Sequence, residues 1–165
     1  MTMVRGLLAL LLLPFFMMTP TASSAHSPIY GTEYCAVDTE EMDMIFMRFK
    51  PQSYARIEKR LNAGDCGIDI VGSCKHEWCP VRQGHFDGWV RRAQLAPMSG
   101  PVYCVARVDS GWSLDVHEGP ARSTRVVVSV HEGTCGISAT PFQRGRWVRI
   151  KVAGHYGWVA EANLR

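Results

Sequence analysis

Six cysteines and six histidines in 165 residues are the side chains best equipped to hold a metal, attack a substrate or form crosslinks. Their spacing sorts them. Cys35 and Cys66 lie thirty-one positions apart, and so do Cys104 and Cys135. One bond made twice, Cys35–Cys66 and Cys104–Cys135, is the simplest choice among the fifteen pairings that six cysteines allow. Cys74 and Cys79 flank Lys75–His76–Glu77–Trp78 at an expected hairpin tip, where facing Cβ atoms come within disulfide reach. Zinc on Cys74, His76 and Cys79 would lack a fourth ligand, and zinc–thiolate sites belong to reducing compartments, so a third disulfide, Cys74–Cys79, is expected instead. With every cysteine assigned, no thiol remains as a nucleophile. His76, His85, His117, His131 and His155 fall mostly in expected turns and strand ends, where solvated side chains are the rule, and no carboxylate pair has a distinctive spacing. No catalytic residue, metal or cofactor is expected, and the chain reads as non-enzymatic.

The N-terminus sets the compartment in which such crosslinks would form. Arg5 is the only charge before the apolar run Gly6–Met18, and Ser23 and Ala25 supply small residues after it. A basic start, a short apolar core and a small-residue site match a secretory signal over residues 1–25, cleaved after Ala25. The run is short for a bilayer span and carries Pro14, so no stable membrane insertion is expected once the signal is removed. The mature chain would begin at His26, whose free amine and imidazole are a copper-chelating pair in principle, but no partner histidines stand at suitable spacings. A net charge of +3, with no basic stripe, gives no reason to expect nucleic acid.

The elements that position these residues come in two copies. Trp147–Val159 reads as a β-hairpin, with Val148, Ile150 and Val152 alternating with Arg149 and Lys151 and a turn over Ala153–Tyr156. An earlier copy, Trp78–Val90, is displaced by sixty-nine positions. The same offset relates Tyr34–Cys35 to Tyr103–Cys104, Pro51 to Pro120, Gly64 to Gly133, Cys66 to Cys135 and Leu95 to Leu164, so the repeat is ungapped. In the second copy, strands are expected over Tyr103–Val108, Leu114–Val116, Arg125–Val130 and Cys135–Thr140; the first carries a Met- and aromatic-rich strand over Glu40–Phe49, with Ile45, Met47 and Phe49 expected inside. Short strands punctuated by Gly and Pro, with no long helical periodicity after the signal, point to small barrels. The expected organisation is a first barrel over 26–95, a stiff linker over 96–101 and a second barrel over 102–165.

Leu114–Asp115–Val116–His117–Glu118–Gly119–Pro120, the valines of Val126–Val130, Gly133, Trp147 and Gly157–Trp158–Val159 together resemble the bacterial Src-homology-3 domain. That family shows a leucine–polar–valine–arginine–polar–glycine–proline run and closes on a glycine–tryptophan–valine strand. The resemblance covers both copies. It departs at His117, which stands in the place of the arginine, and at Lys50, which replaces the glycine of the first copy. It implies an all-β fold of two tandem small SH3-like β-barrels, here disulfide-stapled. It also implies a binding role in the periplasm or outside the cell, with peptidoglycan, its peptide stems or an envelope protein as partner, and it brings no catalytic motif.

Recognition would then fall to the barrel surface. Trp78, Trp89, Trp147 and Trp158 recur in both copies and read as packing residues. Trp112 breaks the repeat, standing where the first copy has Asp43, and Phe142 and Tyr156 are aromatics in expected loops; these three are the candidate ligand contacts. Arg91–Arg92 is a small basic point that reads first as ordinary solvated surface, with pairing to the carboxylates of a cell-wall peptide as the alternative. The leading expectation is a secreted or periplasmic binder of peptidoglycan or its stems. The alternative is a protein–protein adaptor in an envelope complex or a secreted host-interacting factor, for which the Met- and aromatic-rich strand would be the docking surface.

Overall fold

The computed structural model of the protein describes residues 31–38, 44–106 and 113–165. The expected signal segment, His26 and Trp112 lie outside the described residues. The strands are β1 (Glu33–Ala36), β2 (Met44–Arg48), β3 (Ile57–Asn62), β4 (Ile68–Ile70), β5 (Trp78–Gln83), β6 (Phe86–Arg91) and β7 (Leu95–Pro97), followed by β8 (Tyr103–Cys104), β9 (Ser113–His117), β10 (Val126–His131), β11 (Cys135–Arg144), β12 (Trp147–Val152) and β13 (His155–Ala160). They form two antiparallel sheets, of order β3-β2-β6-β5-β4-β1-β7 and β10-β9-β13-β12-β11-β8. Two 3-10 turns, Arg92–Gln94 and Glu161–Asn163, are the only helical elements among the described residues.

Alternation builds each sheet's inner face. Ile45 and Met47 of β2 are fully buried while Met44 is exposed, and Ile150 and Val152 of β12 are buried while Lys151 is not. The first sheet buries Ile45, Met47, Leu61, Ile68, Val81 and Val90; the second buries Val105, Val116, Val130, Ile137, Ile150 and Val159. Phe49 departs from expectation. It falls just after β2, where alternation has ended, and is 56% exposed rather than inside.

Among the described residues both strand orders are open, with no ladder joining the outermost strands of either sheet. Each nevertheless curls back on itself through the same pair of backbone bonds. Ala36 N–H donates to Asp65 O at 2.7 Å and Gly64 N–H to Ala36 O at 2.9 Å; in the second sheet Val105 N–H donates to Thr134 O at 2.8 Å and Gly133 N–H to Val105 O at 3.1 Å. Disulfides Cys35–Cys66 and Cys104–Cys135 cross-link these points, and Cys74–Cys79 closes the hairpin tip before β5. The first two are the pairs that the repeat suggests, and the third is the one expected from the hairpin tip.

The segment expected to be a linker, 96–101, is held to both sheets. Ala96 and Pro97 belong to β7, which pairs with β1. Met98 is 5% exposed and donates its N–H to Glu33 O at 2.8 Å. Ser99 N–H donates to Ala139 O at 2.8 Å, and Ala139 N–H to Ser99 Oγ at 2.7 Å.

Candidate functional site

Period-two alternation puts Arg149 and Lys151 on one face of β12, and the β12–β13 register sets Tyr156 directly opposite Lys151. Phe142 joins this face from β11. The Arg149 guanidinium sits 5.9 Å from the Phe142 ring centre and 5.5 Å from that of Tyr156, with Lys151 Nζ 5.4 Å from the latter. The two residues expected in loops are therefore strand residues, brought together around one cation.

This cluster is engaged by the first sheet. Arg149 Nη1 donates to Gly64 O at 2.5 Å and lies 3.9 Å from Cys66 Sγ. The Lys151 ammonium and the Tyr156 hydroxyl both donate to the Glu33 carboxylate. Burial holds the Arg149 guanidinium below the ordinary arginine range, with the Asp65 carboxylate pulling the other way. Phe142 and Tyr156 thus belong to a seam between the sheets, and the Tyr156 hydroxyl is occupied within the protein. Beside the seam runs a cleft of about 330 Å3 bordered by Glu33, Ser99, Ser138, Lys151 and Ala153.

A second concavity, of about 640 Å3, lies at the disulfide-closed tip of the first copy and is lined by Pro51, Lys75, His76, Glu77 and Trp78. Lys75 and Trp78 exchange backbone bonds, N–H to O at 2.7 and 3.0 Å, which closes the turn. His76 sits inside that turn at φ +53, a left-handed conformation that suits glycine; Gly145, its counterpart in the second copy, has φ +56. Lys75 Nζ stands 5.6 Å from the Trp89 ring centre, and Arg91 Cζ 5.5 Å from that of Trp78. Arg92 N–H donates to Glu77 O at 2.7 Å, while Arg92 Nε is buried with no hydrogen-bond partner among the described residues. The basic point Arg91–Arg92 therefore adjoins this recess. The sequence reading took His76 as a solvated turn residue and a rejected zinc ligand; its left-handed backbone went unread, although aligning it with Gly145 points to it.

Of the repeated tryptophans Trp78 is buried, while Trp89, Trp147 and Trp158 are half-buried; Trp147 meets His117 edge-on with ring centres 5.6 Å apart at 89°. Among the described residues no group of three or more His, Cys, Asp or Glu is placed to hold a metal ion, and no helix is long and apolar enough to cross a membrane.

No protein-family model matches the chain, and no curated protein matches it. Among solved structures it is similar to NlpC1 of Trichomonas vaginalis, at 18% identity and a TM-score of 0.38, with 86% of this chain and 48% of that one covered. It is similar to NlpC2 of the same organism at 17% identity and a TM-score of 0.37, with coverage of 81% and 47%. The chain spans about half the length of these two neighbours. At this level the likeness bears on neither fold nor activity.

Proposed function

We propose that the two sheets are a tandem of SH3-like barrels, over 26–95 and 102–165 with 96–101 between them, in a secreted or periplasmic non-enzymatic protein that binds peptidoglycan or its peptide stems. The observation that carries this reading is the set of cations laid over aromatic rings on the outside of the first sheet. Lys59 Nζ stands 4.8 Å from the Phe86 ring centre, and Arg56 Cζ 5.2 Å from that of Phe49. Phe86 is 46% exposed and Tyr54 82%. Such pairs offer a flat apolar face to a sugar ring or peptide and a charge to its carboxylates. In the second sheet the corresponding chemistry is taken up by the seam. Three disulfides fit an oxidising compartment.

Sedimentation with purified sacculi tests the reading. The mature chain, disulfides intact, is expected in the pellet, with retention lost in a Phe49→Ala/Phe86→Ala double variant that keeps the native fold. Absence of the unaltered chain from the pellet at both low and moderate salt overturns it. One observation favours the adaptor alternative: the β2–β3 pair carries exposed apolar side chains at both of its ends, Met44 at one and Ile57 with the adjoining Phe49 at the other, and exposed apolar surface is what partners cover. Retention of a discrete envelope protein, with none on bare sacculi, would select it.

A further inference from the structure

The outermost strands of the two sheets are unequally defended against pairing. β7 is three residues long and ends on Pro97, and β8 is two residues long, so neither offers much of a template. β3 and β10 are six residues each and occupy matched positions, sixty-nine apart. β3 carries three consecutive charges, Glu58, Lys59 and Arg60. β10 reads Val126–Val127–Val128–Ser129–Val130–His131, with no acid, lysine or arginine. Val130 is buried and Val128 packs against the core, while Val126 is 40% exposed and Ser129 and His131 are exposed. On one side β10 pairs with β9; among the described residues Val126–Val130 make no other backbone bond. Each strand has a bulge near its start, between Ile57 and Lys59 in β3 and between Val126 and Val128 in β10, so the bulge does not account for the difference.

A long, valine-rich edge without charges is a surface that another strand covers. We propose that β10 is a dimerisation edge, at which two copies of the chain pair β10 with β10, antiparallel about a two-fold axis, and join their second sheets into one. The ends of the strand select a second copy as the occupant. Arg125 stands just before β10 and Glu132 just after it, both exposed. Antiparallel pairing carries Arg125 toward the partner's Glu132, and the symmetry makes that contact twice. Arg125 already meets Glu118 at 3.2 Å, but 70% of its side chain is exposed and its fork has donors for a second carboxylate. The charges of β3 limit the assembly. Pairing β3 with itself would set Lys59 and Arg60 of two copies close together, and pairing it with β10 would bury charges against valines and leave an open chain of subunits. With only β10 undefended, association stops at two. This inference goes beyond the wall-binding reading and does not depend on it.

Sedimentation equilibrium of the mature, oxidised chain over a concentration series tests it, with amide hydrogen exchange followed at both ends of the series. One strand pair is small beside the roughly 1,200–2,000 Å2 of a stable complex. A reversible dimer is therefore expected, half-formed on the order of 100 μM. Its β10 amides are expected to gain protection as concentration rises, and those of β3 to stay unchanged. Val127→Glu/Ser129→Arg, which gives β10 the residues that β3 has at 58 and 60, is expected to weaken the dimer at least about tenfold. Val102→Lys, at an exposed apolar position next to β8, is expected to leave it unchanged. Should the double variant fail to fold, Arg125→Glu is expected to weaken the dimer and Arg125→Glu/Glu132→Arg to restore it. A chain that stays monomeric to about 1 mM, a dimer indifferent to the folded variants, or assembly that continues past two overturns the proposal. A monomer whose β10 amides are protected at every concentration also overturns it and assigns the edge to a segment of the same chain; protection that comes only with added envelope extract assigns the edge to another protein. A monomer that sediments with sacculi removes the dimer and leaves the wall reading.

Discussion

Arg48 and His117 hold equivalent ends of the two sheets by different chemistry: Arg48 Nη1 donates to Ala55 O at 2.8 Å, and His117 Nδ1 lies 3.1 Å from Thr124 O. The carbonyl only accepts, so Nδ1 carries the proton. Each bond spans seven residues and closes the loop that follows the strand. The histidine that interrupts the arginine of the repeat is therefore a substitution within one architectural role. With 8% of its surface exposed it also meets the Trp147 ring edge-on. His117→Leu leaves the Thr124 carbonyl unmatched and is expected to cost about 1–3 kcal/mol in urea denaturation. His117→Arg, which restores the partner seen in the first copy, is expected to recover much of that loss.

Gly88 and Gly157 are matched positions where a strand crosses closely over its neighbour. A Cβ on Gly157 would stand 2.5 Å from Val116 Cγ1 and 2.8 Å from His117 O; on Gly88 it would stand 2.5 Å from Met47 Cγ and 2.9 Å from Arg48 O. The carbonyls are backbone and cannot swing aside. Gly157→Ala and Gly88→Ala are each expected to destabilise by about 2 kcal/mol or more. Gly100→Ala, whose nearest contact would be an ordinary 3.7 Å to Val102, serves as the control and is expected to be neutral or slightly stabilising.

The seam is testable as an energetic coupling. Glu33 and Lys151 are 22% and 34% exposed in their side chains, partly shielded from water. A double-mutant cycle with Glu33→Ala and Lys151→Ala is expected to give a coupling of about 0.5–1 kcal/mol that shrinks as salt is raised. A coupling within error of zero at low salt would mean that the contact does not hold the sheets together.

The two thirty-one-residue disulfides share a loop length but not an environment. Cys35 is fully buried and Cys66 is half-covered beneath Arg149, whereas Cys135 is exposed. Limited reduction followed by alkylation and mass mapping is expected to open Cys104–Cys135 before Cys35–Cys66. Removing either bond by paired Cys→Ser substitution is expected to destabilise its own sheet by about 3–4 kcal/mol.

The repeat made many of the strands and the two thirty-one-residue cysteine pairs legible, because each rests on local alternation or on a position that occurs twice, and the hairpin tip suggested Cys74–Cys79; the close approach at Gly88 and Gly157 shows only in the fold. Phe142 and Tyr156 were misplaced for the opposite reason. Tyr156 is held by Glu33, which lies 123 positions before it and belongs to the other sheet, and Phe142 meets Arg149, which itself reaches Gly64; no local pattern announces partners at that distance. Arg92 was visible only as a charge; that its Nε lacks a partner depends on the fold of the tip. His76 was readable in principle, since the second copy has Gly145 in its place, but only once the backbone there was known to be left-handed.

Met98 is bound to Glu33 of one sheet and Ser99, the next residue, to Ala139 of the other. The step from repeat to repeat is consequently a fixed pitch instead of a tether of variable length. A residue inserted between Met98 and Ser99 would therefore throw these two anchors, and with them the Glu33–Lys151 contact of the seam, out of register.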